Sequence, residues 1–153
     1  MAVVIQADRA ARDQFAGLLR HYAAGLISND ALEDGLPASD DPALHEIFAN
    51  GVWFLYDDLR EYKRIGRDRL EADRRAFVAR TLLFLKSDQP YRWPPTTGFR
   101  FLPHRIMSIA TLGWLGRVWL RRHWRAGAAS VWPFFSAEEH AAAKQSPVYL
   151  RGS

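Results

Sequence analysis

The stretch DPALHEIFANGVWFLYDDLREYKRIG, residues 41–66, carries the strongest helix signal in the chain. Asp41 has the side chain of a helix N-cap, and Pro42 suits the first helical position. Apolar residues then recur at the three- and four-residue spacing of one helix face, over about five turns. We predict a single helix here that ends at Gly66, with Gly51 inside it at a close approach to another helix.

Helical patterns on both sides of this stretch extend the same prediction. A first helix is predicted over 8–24, and a short turn follows, with N-cap candidates at 28–30, that runs through Leu32 and Glu33. Another helix is predicted over about 71–87. A last short helix begins at Ser136, which forms a capping box with Glu139.

The remaining segment is predicted as a linker followed by a buried helix. Residues 89–103 hold four of the eight prolines, and their aromatic side chains are expected to pack on the helices that the linker crosses. A helix follows over about 103–126, and its part 106–120 is apolar nearly all round, as in a central buried helix. No window shows sustained strand alternation. The chain is therefore predicted to be all-α, a single domain over 1–153 with about five helices.

Composition sets limits on the chemistry and the location. The chain of 153 residues is 48% hydrophobic and 25% charged, which is ordinary for one soluble domain. It has no cysteine, which excludes disulfides, zinc–thiolate sites, iron–sulfur clusters and cysteine nucleophiles. The longest apolar stretch has about 15 residues, whereas a spanning helix needs about 20. The first residues lack the pattern of a signal peptide. We expect a cytoplasmic protein without a membrane partner.

Charge is divided along the chain, and this division suggests two binding surfaces. Residues 1–50 hold 3 basic and 8 acidic side chains, net −5, whereas residues 51–153 hold 18 and 9, net +9. The acidic region 30–46, with Asp40 and Asp41, is one candidate surface for a basic partner. Charge of this kind steers and selects partners.

The end of the helix predicted over 103–126 is the other candidate surface. Its members are arginines spaced about one turn apart and the tryptophans among them: Arg117, Trp119, Arg121, Arg122, Trp124 and Arg125. Trp and Arg are enriched at interface hot spots, and the arginines would also suit phosphates. Cations at a helix C-terminus also offset the helix dipole, so ordinary packing explains the pattern equally well.

No motif in the chain identifies a reaction. There is no nucleotide-binding loop, and none of the five histidines has the spacing of a metal site. We therefore predict no catalytic residue, no cofactor and no metal ligand. An enzyme with a site assembled from separated residues, around Asp57, Glu61 and His104, stays an alternative. The run of charge at 57–64 is otherwise interpreted as a solvated helix face.

Six segments spread over most of the chain stand out together: GLISND (25–30), DDPAL (40–44), WFLYDDLR (53–60), FLKSD (84–88), PYRWP (90–94) and VWPF (131–134). In these segments the chain resembles a group of small bacterial proteins with no assigned function. The resemblance implies a bacterial, cytoplasmic origin. It carries over no catalytic residue and no substrate.

Together these observations predict a non-catalytic protein that binds another protein. The most concrete form is an immunity- or antitoxin-like inhibitor, with the acidic or the arginine-rich surface facing its target. The alternatives are nucleic-acid binding through residues 117–125, an enzyme of the kind described above, and a homodimer that uses exposed tryptophans.

Overall fold

The computed structural model describes residues 7–57, 59–94 and 124–147, and in these ranges the chain forms helices and no strand. The α-helices are α1 (Arg9–Ala23), α2 (Asn29–Asp34), α3 (Pro42–Asn50), α4 (Ala72–Leu85) and α5 (Ala137–Gln145). Short 3₁₀ turns occupy Val52–Leu55, Gly66–Asp68 and Ala129–Val131. The all-α class predicted from the sequence is confirmed.

The helices begin where their capping residues predict. The Asp8 carboxylate accepts a hydrogen bond from the Ala11 amide at 3.1 Å, and this bond is the main reason that the pKa of Asp8 is lowered. Ser28 accepts from the Ala31 amide at 3.2 Å at the start of α2. Ser136 accepts from the Glu139 amide at 3.3 Å at the start of α5. Side-chain acceptors of this kind satisfy amides that have no partner inside the helix.

The core is centred on α1 and α4, which make the most extensive helix–helix contact among the described elements. Phe15, Leu19 and Tyr22 are fully buried on α1, at the spacing predicted for its apolar face. Phe84 and Leu85 are buried on α4. Burying each such side chain contributes about 1.5–3 kcal/mol, so this contact is a main source of stability.

The prediction of one helix over 41–66 is wrong beyond Asn50. The helix α3 ends there, Gly51 has φ −139° and ψ −65°, and a 3₁₀ turn follows. The close approach predicted at Gly51 is present, because a Cβ on this residue would lie 2.5 Å from Cζ of Phe77 and 2.6 Å from Cζ3 of Trp132. The chain therefore bends at Gly51 instead of continuing as a helix.

Hydrogen bonds from the start of α2 hold the chain after this bend in a non-helical form. The Asn29 side chain accepts from the Tyr62 amide at 2.8 Å and donates to the Arg60 carbonyl at 3.1 Å. The Asn29 amide donates to the Tyr62 carbonyl at 3.2 Å. Ser28 donates to the Glu61 carboxylate at 2.6 Å. These bonds replace the helical bonds that the periodicity predicted, so the charge run at 57–64 does not form a helix face.

The described part of the predicted linker packs as expected. Tyr91 meets the Phe84 ring edge-on, with 6.3 Å between ring centroids. Trp93 is buried and packs edge-on against Trp124 and Phe135, at 5.7 and 5.6 Å. The helix predicted over 103–126 lies outside the described residues up to position 123, and Trp124 and Arg125 are helical before the chain turns.

Candidate functional site

An open cleft of about 450 Å³ lies where the end of α3, the helix α4 and the segment 124–132 meet. Five residues, mostly apolar, form its floor: Gly51, Leu55, Phe77, Trp124 and Trp132. The Phe77 and Trp132 rings are stacked, with centroids 5.8 Å apart and planes 2° from parallel. Trp124 meets Trp132 edge-on at 5.9 Å. The floor is therefore a packed group of aromatic rings.

Hydrogen bonds fix the orientation of this floor. The Trp132 indole Nε1 donates to the Tyr91 hydroxyl at 3.2 Å. Burial, together with the nearby charge of the Glu46 carboxylate, raises the pKa of Tyr91. Glu46 is itself buried and accepts from the Asn50 side chain, which lines the cleft, at 2.9 Å. The rings consequently occupy defined positions before any ligand arrives.

The rim of the cleft is charged and carries one exposed aromatic side chain. Asp73, Arg74 and Arg80 line it from α4, and the Phe54 side chain stands beside them with 69% of its surface exposed. Arg74 Nη1 donates to the Leu55 carbonyl at 3.0 Å. The rim therefore offers two cations next to an apolar floor.

Arg80 is the more enclosed of the two cations. Its Nε donates to the Trp132 carbonyl at 2.6 Å, and its guanidinium carbon lies 5.9 Å from the centroid of the Phe77 ring. Burial lowers the pKa of Arg80 from its ordinary value, and the side chain stays charged at neutral pH. The bond through Nε leaves both Nη groups for other acceptors.

The structure places only part of the sequence-predicted binding row. Trp124 is half-buried and lines the cleft, whereas its neighbour Arg125 is exposed and does not line it. The other members lie outside the described residues: Arg117, Trp119, Arg121 and Arg122. Their role in binding stays a prediction.

The two acidic candidates lie in different environments. Asp40 is exposed, ahead of α3. Asp41 is 4% exposed and forms an ion pair with Arg12, with Nε to Oδ2 at 2.6 Å and Nη2 to Oδ1 at 3.2 Å. Asp41 also caps α3 by accepting from the Ala43 amide at 3.0 Å. In this conformation Asp41 stabilises the fold from inside and presents no surface to a partner.

Two of the three residues considered for catalysis, Asp57 and Glu61, lie in the described part of the chain. Glu61 is held by Ser28, Asp57 accepts from the Leu59 amide at 2.9 Å, and neither lines the cleft. His104 lies outside the described residues. Across 7–57, 59–94 and 124–147 there is no group of three or more His, Cys, Asp or Glu side chains placed to hold a metal ion.

The described helices were compared with membrane-spanning helices, and the chain with known proteins. No helix within the described ranges has the length and apolar character needed to cross a membrane. No protein-family model, curated protein or solved structure matches the chain. The resemblance to small bacterial proteins therefore stays a prediction.

Sequence reasoning missed most of the cleft. Phe77 falls in the helix predicted over about 71–87, but nothing near it in sequence indicates Trp132, which is 55 positions away. Arg80 stands three positions after Phe77 on α4, so the spacing of one helix face places the two together. That spacing was the one local signal for a cation beside the aromatic floor.

Proposed function

We propose that this chain is a non-catalytic binding module that holds another protein through the aromatic cleft. The observation that carries the proposal is the open cleft with a stacked Phe77–Trp132 floor, bordered by Phe54 and two arginines. Ligand sites in proteins have volumes of about 300–1,000 Å³ and combine apolar walls with a few polar groups. A cleft of about 450 Å³ has room for one or two side chains of a partner.

The chemistry of the cleft suits protein recognition. Trp, Tyr and Arg carry much of the binding energy at protein interfaces, usually in pockets that exclude water. The rings of the floor are already held by the Trp132–Tyr91 bond and by stacking on Phe77. A partner therefore has little ordering to impose, and preorganisation of this kind raises affinity.

The finer form of the proposal is an immunity- or antitoxin-like inhibitor in the bacterial cytoplasm. It rests on the small size, the absence of a catalytic motif and the division of charge between residues 1–50 and 51–153. Opposite charges in two parts of one small protein favour fast and selective association. In this form the bound partner would lose its activity while the cleft is occupied.

Site-specific photo-crosslinking in the native host tests the proposal. A benzophenone amino acid replaces Phe54 at the rim, and the control places it at Leu59, which is 88% exposed and does not line the cleft. Both side chains are exposed and apolar, so neither change should unfold the protein. We expect one protein to crosslink from position 54 and not from position 59, at low and at moderate salt.

The outcomes separate the proposal from its alternatives. Crosslinks of equal pattern at both positions would show that the cleft has no special role. Crosslinks to nucleic acid alone would favour the alternative of nucleic-acid binding through residues 117–125. A stoichiometric partner whose activity falls in the complex would support the inhibitor form.

A further inference from the structure

The arginines of the described residues fall into two groups. Several have a carboxylate partner: Arg12 pairs with Asp41, Arg60 with Asp68 and Arg92 with Glu139. Arg80, at the cleft, forms no ion pair with any carboxylate in the described part of the chain. Arg64 is more buried and also has no ion pair among the described residues, but it does not line the cleft and donates to the Tyr22 hydroxyl and the Asp68 carbonyl. Burial weakens the hydration of such a cation, and at Arg80 no described carboxylate compensates for it through an ion pair.

The chain between Asp88 and α5 also contains no acidic residue that would pair with Arg80. Between Asp88 and Glu138 the chain has no acidic residue and seven arginines. The residues 95–123, which the structure does not describe, therefore contain no side-chain carboxylate that would pair with Arg80. The acidic residue at the rim, Asp73, is exposed, and none of the ion pairs among the described residues joins it to Arg80.

The charge of Arg80 also affects the neighbouring side chain of His140. Burial, with the charges of Lys144 and Arg80, lowers the pKa of His140. His140 lies on α5, which contacts α4, and its ring packs against Phe134 with 5.2 Å between ring centroids. The charge of Arg80 thus contributes, after burial and Lys144, to the lowered pKa of His140.

We propose that the partner presents a bulky apolar side chain next to an acidic side chain, and that the acidic side chain pairs with Arg80 while the apolar one enters the cleft. This inference rests on the proposed function, since it names the chemistry of the partner at the same site. Both Nη groups of Arg80 face no described carboxylate, and a guanidinium binds a carboxylate through two parallel hydrogen bonds. The bond from Nε to the Trp132 carbonyl holds the guanidinium in place for that contact.

A second cation extends the pattern along α4. Arg74, Phe77 and Arg80 are spaced by three residues, so the two arginines are about 9 Å apart along the helix axis, with the ring between them. Acidic side chains on both sides of an apolar one match this arrangement. Because Arg74 and Arg80 stand on either side of the Phe77 ring along one helix, we commit to an acidic protein segment as the occupant, and a phosphate ligand is an outcome of the test below.

Two capped tripeptides test the inference directly: glutamate–phenylalanine–glutamate, and its neutral counterpart glutamine–phenylalanine–glutamine. Binding is followed by the NMR shift of the Trp132 indole N–H, which is assigned with a Trp132→Phe variant. We expect the acidic peptide to bind at least about tenfold more tightly than the neutral one, the size expected for a charge-assisted pair. Inorganic phosphate at matched ionic strength is titrated in parallel.

Matched variants assign the effect to the cleft. In Arg80→Gln the acidic peptide should lose its advantage over the neutral one, and in Arg74→Gln the advantage should fall about two- to threefold. Arg74 is exposed, so Arg74→Gln keeps the test valid if Arg80→Gln fails to fold. Arg125→Gln is the control, because Arg125 is exposed and does not line the cleft.

Each other result overturns the inference. Equal affinity for both peptides means that the cleft binds apolar groups without a carboxylate, and the proposed function then stands without this detail. Tighter binding of phosphate than of the acidic peptide assigns the cation to a phosphate ligand. No shift with either peptide removes the inference, while the crosslinking at Phe54 decides the proposed function separately.

Discussion

Arg12 is a buried residue of α1 that binds two other segments of the chain. Its guanidinium is 1% exposed and binds the Asp41 carboxylate, the Gln89 carbonyl at 2.8 Å and the Ser87 carbonyl at 3.1 Å. It also lies 5.2 Å from the centroid of the Phe84 ring. One side chain of α1 thereby fixes the start of α3 and the chain that leaves α4.

Removing this cation should destabilise the protein strongly. In Arg12→Met the Asp41 carboxylate stays buried without its partner, and we expect a loss of about 3–5 kcal/mol in the free energy of unfolding. Urea denaturation followed by circular dichroism measures it. The control is Arg60→Gln, which breaks an exposed ion pair with Asp68 and should cost less than about 1 kcal/mol. Similar losses in both variants would contradict the role given to Arg12.

At the scale of elements, two glycines that look alike in sequence have opposite roles. Gly17 lies inside α1, and a Cβ there would meet nothing within 4 Å. Gly51 ends α3 beside the cleft, where a Cβ would lie within 3 Å of both Phe77 and Trp132. Both residues fall within stretches of predicted helix, so local pattern alone does not distinguish them.

The two alanine variants should therefore shift stability in opposite directions. We expect Gly17→Ala to stabilise the protein by about 0.5–1 kcal/mol, because alanine favours the helix interior. We expect Gly51→Ala to destabilise it by about 1–3 kcal/mol, because the added methyl group displaces the rings of the floor. Thermal unfolding of both variants checks the pair. A stabilising Gly51→Ala would show that the rings are not closely packed on this residue.

At the scale of the whole molecule, the division of charge sets the behaviour with partners. Net charges of −5 on residues 1–50 and +9 on residues 51–153 favour association that is faster at low salt. Nucleic-acid binding is the main competing use of this charge, because affinity for nucleic acid depends on phosphate contacts and falls steeply with salt.

We expect the protein purified from its host to carry little nucleic acid at moderate salt. The ultraviolet absorbance ratio of the eluted protein, at low and at moderate salt, measures this. Nucleic acid that persists through the moderate-salt wash would contradict protein binding as the main function. The same eluates, examined by mass spectrometry, show whether a single protein stays bound.

Several features of the protein were determined by the sequence itself. The all-α class, the start of α1 at Asp8, the start of α3 at Asp41 and the start of α5 at Ser136 were all predicted and confirmed. The predicted capping box forms only in its Ser136 half, because the Glu139 carboxylate accepts from the Phe135 amide, one residue before Ser136. These features depend on residues within about one helical turn of each other, because a cap satisfies amides of its own helix. The absence of cysteine chemistry likewise follows from composition alone.

Other features were decided only by the tertiary structure. The early end of α3, the burial of Asp41 and the aromatic cleft all depend on partners that are far apart in sequence. Asn29 holds Tyr62 across 33 positions, Arg12 reaches Asp41 across 29, and Arg80 reaches Trp132 across 52. Helical periodicity records which face of a segment is apolar but not which distant residue packs on it. The cleft is therefore visible only after the chain has folded.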